Sequence, residues 1–167
     1  MIKPFKKEDV TEFLVQSNYI EDERTEIAHE GAEKAWKYII GLNYLNPKVI
    51  RHIHKILMQK LRPDIAGQWR NCDVWIGGKQ KRFTGVETIE YQMANFCVVV
   101  DQSKKFKKAD KNVMAKDCHV MFENYHPFED GNGRVGRIIY NWHRYQLGLP
   151  IHIIQEQEKH EYYLWFR

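Results

Sequence analysis

Apolar residues recur along most of this chain at the three- and four-residue spacing of helices. Ala28, Ala32, Ala35, Ile39 and Leu42 share one face and predict a helix over 23–42. Ile50, Ile53, Leu57 and Leu61 predict a second, with Asn46 placed to cap it and Pro47 to open it. Ile89, Met93, Phe96 and Val100 mark a third, and Met114, Cys118, Met121, Phe122 and Tyr125 a fourth. A fifth carries Val135, Ile138, Ile139, Trp142 and Tyr145, and a short last helix starts near Gln157 and holds Tyr162, Tyr163 and Trp165. Residues 72–85 break the pattern. There Val74-Trp75-Ile76 precedes Gly77-Gly78, and polar residues run on to Phe83-Thr84. A glycine pair beside a β-prone run predicts a hairpin, because such turns need positive φ. The expectation is a mainly α-helical, single compact domain over 1–167 with one small β-hairpin.

Composition agrees with a folded domain. In 167 residues, 43% are hydrophobic and 13% aromatic, too apolar for a disordered chain. No stretch approaches the roughly 20 apolar residues that span a bilayer. The basic start Met1-Ile2-Lys3-Pro4-Phe5-Lys6-Lys7 has no apolar run behind it, so a soluble, cytoplasmic protein is expected. Cys72, Cys97 and Cys118 are odd in number and form no CxxC pair, which fits reduced thiols and supports no zinc site. The net charge of +4 is too small for a dedicated nucleic-acid binder. The densest basic cluster, Lys104, Lys105, Lys107, Lys108 and Lys111, has only Phe106 among its lysines and reads as a solvated loop or helix end.

Chemistry concentrates in residues 126–137, His126-Pro127-Phe128-Glu129-Asp130-Gly131-Asn132-Gly133-Arg134-Val135-Gly136-Arg137. Pro127 disfavours helical backbone at His126, so the fourth helix should stop there. Gly131 and Gly133 make a turn that feeds the fifth helix, and a glycine turn at a helix start is an anion site. Arg134 and Arg137 follow three residues apart, in the first turn of that helix. Positive charge there opposes the helix dipole by about 0.3–1 kcal/mol per residue. Two arginines make sense if a multiply charged anion, such as a nucleotide polyphosphate, occupies the site. Asp130 is placed to share Mg²⁺ with the phosphates. His126 then has the side-chain type suited to take a proton from an attacking hydroxyl. Phe128 between them should point into the core. Each part alone has a bland structural explanation; their joint occurrence does not. Gly131-x-Gly133-x-x-Gly136 also fits a dinucleotide fingerprint, but no apolar strand precedes it.

In this stretch the chain resembles the Fic family, matching its HPFx(D/E)GNGRxxR signature in every defined position. Gly67-Gln68-Trp69-Arg70 with Val74-Trp75-Ile76-Gly77-Gly78 is similar to the segment leading into the family's flap hairpin. Gly148-Leu149-Pro150 and Tyr162-Tyr163 are similar to later family features, so the likeness runs over residues 17–163. The resemblance implies a helical Fic fold and transfer of AMP from ATP to a Ser, Thr or Tyr hydroxyl of a target protein or of the protein itself. On that resemblance His126 is the base and Asp130 holds Mg²⁺ against the α- and β-phosphates. Gly131, Asn132 and Gly133 cradle the phosphates, with the Asn132 side chain helping to orient them. Arg134 engages the β-phosphate region and Arg137 the γ-phosphate. The flap, including Val74, Trp75, Ile76 and Gly77, would hold an extended target segment by strand addition. Gly133-Arg134 stands where phosphorylating Doc relatives carry a lysine after a shorter turn, which favours nucleotidyl transfer over kinase activity.

Ser17-Asn18-Tyr19-Ile20-Glu21-Asp22 is similar to the family's inhibitory motif (S/T)xxxE(G/N), with Asp22 in the last position. The implication is an N-terminal inhibitory helix whose Glu21 pairs with Arg137 when no γ-phosphate is present. The competing reading makes Ser17 a helix cap and Glu21 a first-turn charge or a solvated surface residue. In some relatives the corresponding glutamate also supports AMP removal. Other functions compete with this one: a catalytically silent nucleotide- or partner-binding module, a Fic enzyme using another nucleotide or removing AMP, and a nucleic-acid binder using the 104–111 lysines.

Overall fold

Residues 5–74, 85–105 and 107–166 are described in this computed structural model. Among them the backbone forms seven α-helices: α1 (Lys7–Ile20), α2 (Glu26–Ile40), α3 (Pro47–Met58), α4 (Ile89–Ser103), α5 (Lys108–Tyr125), α6 (Asn132–Gln146) and α7 (Lys159–Tyr163). Of the expected hairpin, Trp75, Ile76 and Gly77 lie outside the described residues, and Val74 is irregular backbone. No β-strand occurs among the described residues.

Caps set several helix starts. Thr25 Oγ1 accepts from the Ala28 amide, so α2 begins at Glu26 rather than at 23. Asn46 Oδ1 accepts from the Val49 amide at 2.9 Å, and Pro47 opens α3. That helix ends at Met58, leaving Leu61 in the following turn. Spacing alone does not reveal α1, because its buried face mixes Phe13 and Leu14 with Ser17 and Asn18. Gly31 lets α2 approach α3 closely; a Cβ there would sit 3.3 Å from the Leu57 carbonyl oxygen.

Helix α6 is the centre of the packing and touches α1, α2, α3 and α5. Val135, Ile138, Ile139 and Trp142 join the main core with Ile50, Ile53, Phe96, Phe122 and Phe128. Each such fully buried apolar side chain contributes about 1.5–3 kcal/mol. The same helix also buries polar groups, which must find partners. Asn141 exchanges two hydrogen bonds with the His152 backbone, at 3.0 and 2.9 Å. Arg144 Nε donates to the Pro150 carbonyl at 2.8 Å, and His143 Nε2 lies 2.6 Å from Ser103 Oγ. The Asn141 and Arg144 bonds tie the irregular segment after α6 back onto it, and the His143 contact joins α6 to the end of α4.

Two lysines of the basic cluster make structural contacts, while Lys105 and Lys107 are exposed. Lys104 pairs with Asp101, and Lys111 donates to the Leu147 carbonyl. The three cysteines are free; burial pushes the Cys97 and Cys118 thiols up to about 12, while Cys72 is exposed. No helix among the described residues is long and apolar enough to cross a membrane.

Burial lowers three histidines, His54 and His143 to about 4 and His119 to about 3. In the unfolded chain each titrates near 6.5, so their contribution to stability is full above that pH and is lost as pH falls towards 4. The buried acid Glu123, pushed up to about 8 by burial, works in the opposite direction and offsets one of the three. Thermal melts should therefore show Tm lowered by roughly 5–10 °C between pH 6.5 and 5. A Tm independent of pH over that range would mean that the three imidazoles are not held neutral.

Candidate active site

The site forms where α5 ends, the chain turns and α6 begins. His126 is the C-cap of α5, with φ 47 and ψ 61. Proline after it favours extended backbone, but the residue is left-handed instead. A non-glycine residue in this region is strained by about 1–3 kcal/mol and needs support from its surroundings. Arg70 supplies it: its Nε donates to the His126 carbonyl at 2.7 Å, and its amide donates to the Pro127 carbonyl at 3.0 Å. His126 Nδ1 lies 3.3 Å from the Glu123 carbonyl oxygen. A carbonyl only accepts, so Nδ1 carries the hydrogen and Nε2 is the basic nitrogen.

Phe128 is fully buried and pins the turn. It stacks on His54, with ring centroids 3.8 Å apart and planes within 2°. His54 is itself fixed by two backbone groups. Its Nδ1 accepts from the Gly67 amide at 2.9 Å, so Nε2 carries the hydrogen and donates to the Asp130 carbonyl at 3.0 Å. Its low pKa, set by burial, agrees with that single neutral tautomer. Gly131 takes φ 79 and leads into α6, and its amide donates to the exposed Asp130 carboxylate at 2.6 Å. Asn132 departs from the expectation that its side chain faces phosphate. Its amide is buried and spent on Phe128, accepting from the backbone N–H at 2.9 Å and donating to the carbonyl at 2.8 Å. It locks the turn.

Arg134 and Arg137 were expected side by side in the first turn. Only Arg134 lies there, and the two side chains diverge. Arg134 is buried and reaches Met58 Sδ on α3, while its Nε and Nη1 find no hydrogen-bond partner among the described residues. Arg137 turns towards the chain ends. Its Nε donates to Ser17 Oγ at 2.9 Å, and Nη2 donates to the Ser17 carbonyl at 2.8 Å and to Glu21 Oε1 at 2.7 Å. Tyr162 Oη accepts from Nη1 at 3.3 Å. Ser17 thus lies inside the last turn of α1 and Glu21 is its C-cap, so neither plays the cap or first-turn role of the competing reading.

The end of α1 also explains a sequence departure. Asp22 has φ 58, and the Glu23 amide returns to the Asn18 carbonyl, the closure of a left-handed helix end. Gly and Asn suit that conformation best, and Asp, with its short polar side chain, also visits it. The Glu21 carboxylate lies against the α6 start: a Cβ on Gly133 would overlap Oε1 and sit 2.9 Å from Arg137 Nη1.

Buried polar helix, glycine turn and histidine cap together define the class, an α-helical domain of Fic type. The chain belongs to the Fic/DOC family, whose pattern matches residues 44–143. It is 31% identical over 147 residues to the protein adenylyltransferase Fic of Aedes aegypti, covering 85% of this chain and 28% of that protein. The protein of the same name from Culex quinquefasciatus is 30% identical with the same coverage. The chain therefore spans little more than a quarter of the length of these curated relatives. Among solved structures, Fic-1 from C. elegans superposes with a TM-score of 0.80 at 17% identity, covering 96% of this chain and 55% of that one. A Fic domain containing signaling protein from Bacteroides thetaiotaomicron gives 0.74 at 21%, covering 98% and 75%.

Four residues that matter to this geometry escaped sequence reasoning as site residues: His54, Arg70, Glu123 and Tyr162. Arg70 sits in the quoted Gly67–Arg70 run, but nothing in that run says that it holds His126. His54 meets Asp130 across 76 positions. For the turn itself, Asn132→Ala leaves the Phe128 N–H and carbonyl buried without partners and should cost about 2–4 kcal/mol. Urea unfolding should read this as a lower midpoint with unchanged slope; an unchanged midpoint would remove Asn132 from its locking role.

Proposed function

We propose that this chain is a protein adenylyltransferase, moving AMP from ATP to a Ser, Thr or Tyr hydroxyl of a target protein or of itself. The observation that carries the reading is Arg134, a buried guanidinium whose Nε and Nη1 have no partner among the described residues, beside a glycine turn and a helix start. An unpaired buried cation is costly, and phosphate oxygens at that helix start would satisfy it. The curated relatives named protein adenylyltransferase support the choice of nucleotidyl transfer.

In this reaction the acceptor oxygen attacks the α-phosphorus, its proton passes to His126 Nε2, and pyrophosphate leaves. The backbone of Gly131, Asn132 and Gly133 supports the phosphates, with Arg134 and Arg137 neutralising charge as the leaving group departs. Among the described residues no cluster of three His, Cys, Asp or Glu could hold a metal. A single carboxylate suffices for Mg²⁺ when the nucleotide supplies the remaining oxygens, and Asp130 is exposed beside the turn. Bound there, Mg²⁺ would neutralise phosphate charge. Val74 and the 75–77 segment would hold the target chain.

Glu21 is proposed as the inhibitory residue. Its carboxylate against Gly133 and on Arg137 stands where the γ-phosphate would make its contacts. Incubation with α-labelled ATP and Mg²⁺ tests the whole reading, by label on the protein or on proteins of a lysate. His126→Ala should lower incorporation about 10²–10⁴-fold. Glu21→Gly should raise it about 5–150-fold. Absence of both nucleotide binding and label from the Glu21→Gly form would overturn the transferase, and unchanged incorporation by that form would overturn inhibition alone.

A further inference from the structure

Glu123 takes no part in the reaction above, yet it stands between its two halves. It lies in the last turn of α5, and its backbone carbonyl holds His126 Nδ1. Its side chain is buried, and among the described residues Oε1 has no hydrogen-bond partner. That oxygen rests against Gly136, where a Cβ would overlap it, so the α5–α6 packing is shaped around this carboxyl. The groups that act on it come from four elements. Arg137 faces it from α6, Glu21 from the end of α1, and Tyr162 and Tyr163 from α7. His119 lies one turn back on α5, also against Gly136, and its Nε2 is 2.8 Å from Tyr162 Oη. One carboxyl, that of Glu21, is thus paired with the buried guanidinium, and a second, that of Glu123, feels its charge without a hydrogen bond or ion pair to it.

Such a pocket supports one charge pair, since an extra buried charge of either sign is uncompensated. With Glu21 ionised on Arg137, Glu123 keeps its proton; burial raises it to about 8, Arg137 pulls it down and Glu21 pushes it further up. Once Glu21 is removed, Arg137 is a fully buried cation without an ionised partner, and Glu123 is the acid at hand to provide one. We propose that Glu123 is a positioning residue that exchanges a proton against the charge of Glu21, keeping Arg137 neutralised and in place whichever anion its outer face carries. An anion arriving at Arg137 after Glu21 has left then returns a proton to Glu123. The identity of that anion rests on the nucleotide reading above; the exchange itself does not.

The test begins without nucleotide. The Glu123 carboxyl carbon is followed by NMR through a pH titration of the full chain and of its Glu21→Gln variant, which keeps a hydrogen-bonding side chain but no charge. The midpoint should fall by about one unit or more in the variant. A midpoint unchanged by Glu21→Gln would overturn the proposal. A second readout is a thermal cycle at pH 7. Glu123→Gln should barely move Tm in the parent, where it replaces a neutral acid, and should lower it by several degrees in the Glu21→Gln background. A simple structural role predicts additive losses, and additivity would also overturn the proposal. Adding ATP to the Glu21→Gln form should restore the Glu123 midpoint towards the parent value. If the midpoint shifts without nucleotide but ATP leaves it there, the proton exchange stands and the nucleotide reading is what fails.

Discussion

The structure turns on one buried charge. Arg137 is 1% exposed in the middle of the most buried helix, and an arginine cannot escape burial by losing its proton. Burying such a cation costs least when its donors are met and its charge is balanced. Ser17, Glu21 and Tyr162 meet it, two from α1 and its cap and one from α7. Chain segments more than a hundred positions apart are thereby gathered at one point. The neighbouring contacts secure the same junction: Arg24 pairs with Glu156, Lys159 with Asp22, and Gln16 accepts from the Glu156 amide. These exposed pairs contribute little singly, but they lie around the buried one.

Around the turn between α5 and α6 the same logic acts through backbone groups. The loop from His126 to Gly131 exposes peptide groups that no helix satisfies, and side chains from elsewhere satisfy them. Asn132 takes both polar groups of Phe128, His54 takes the Asp130 carbonyl, and Arg70 takes that of His126. Each of these partners is buried, so the left-handed histidine is held by rigid neighbours rather than by its own preference. Placement of this kind is what reactions governed by position and charge require. The two arginines differ: Arg134 leaves donors unspent among the described residues, whereas Arg137 has its donors engaged by the protein itself.

The helical architecture was legible wherever apolar residues kept their period, as in α3 with its Asn46 cap and Pro47, and in α6 with Val135, Ile138, Ile139 and Trp142. It was least legible in α1, whose buried face is half polar because Ser17 and Asn18 point at partners rather than at hydrocarbon. Hydrophobic spacing cannot detect a face that is buried for its hydrogen bonds. The signature from His126 to Arg137 was readable because glycines, proline and like-charged arginines make local physical statements within one turn. The same locality misled on detail. Arg134 and Arg137 looked like neighbours, because spacing says which residues are close along a helix but not where flexible side chains end.

Composition and order of residues thus determined the class of fold, the place of the turn and the kind of chemistry collected there, since these follow from local backbone preference and side-chain type. Tertiary structure alone decided the rest. That Met58 sits under Arg134, that Glu21 lies against Gly133, and that Glu123 rests against Gly136 are consequences of how helices distant in sequence pack. Burial then sets what each ionisable group does, because the cost of charge depends on the surroundings that only the folded chain supplies.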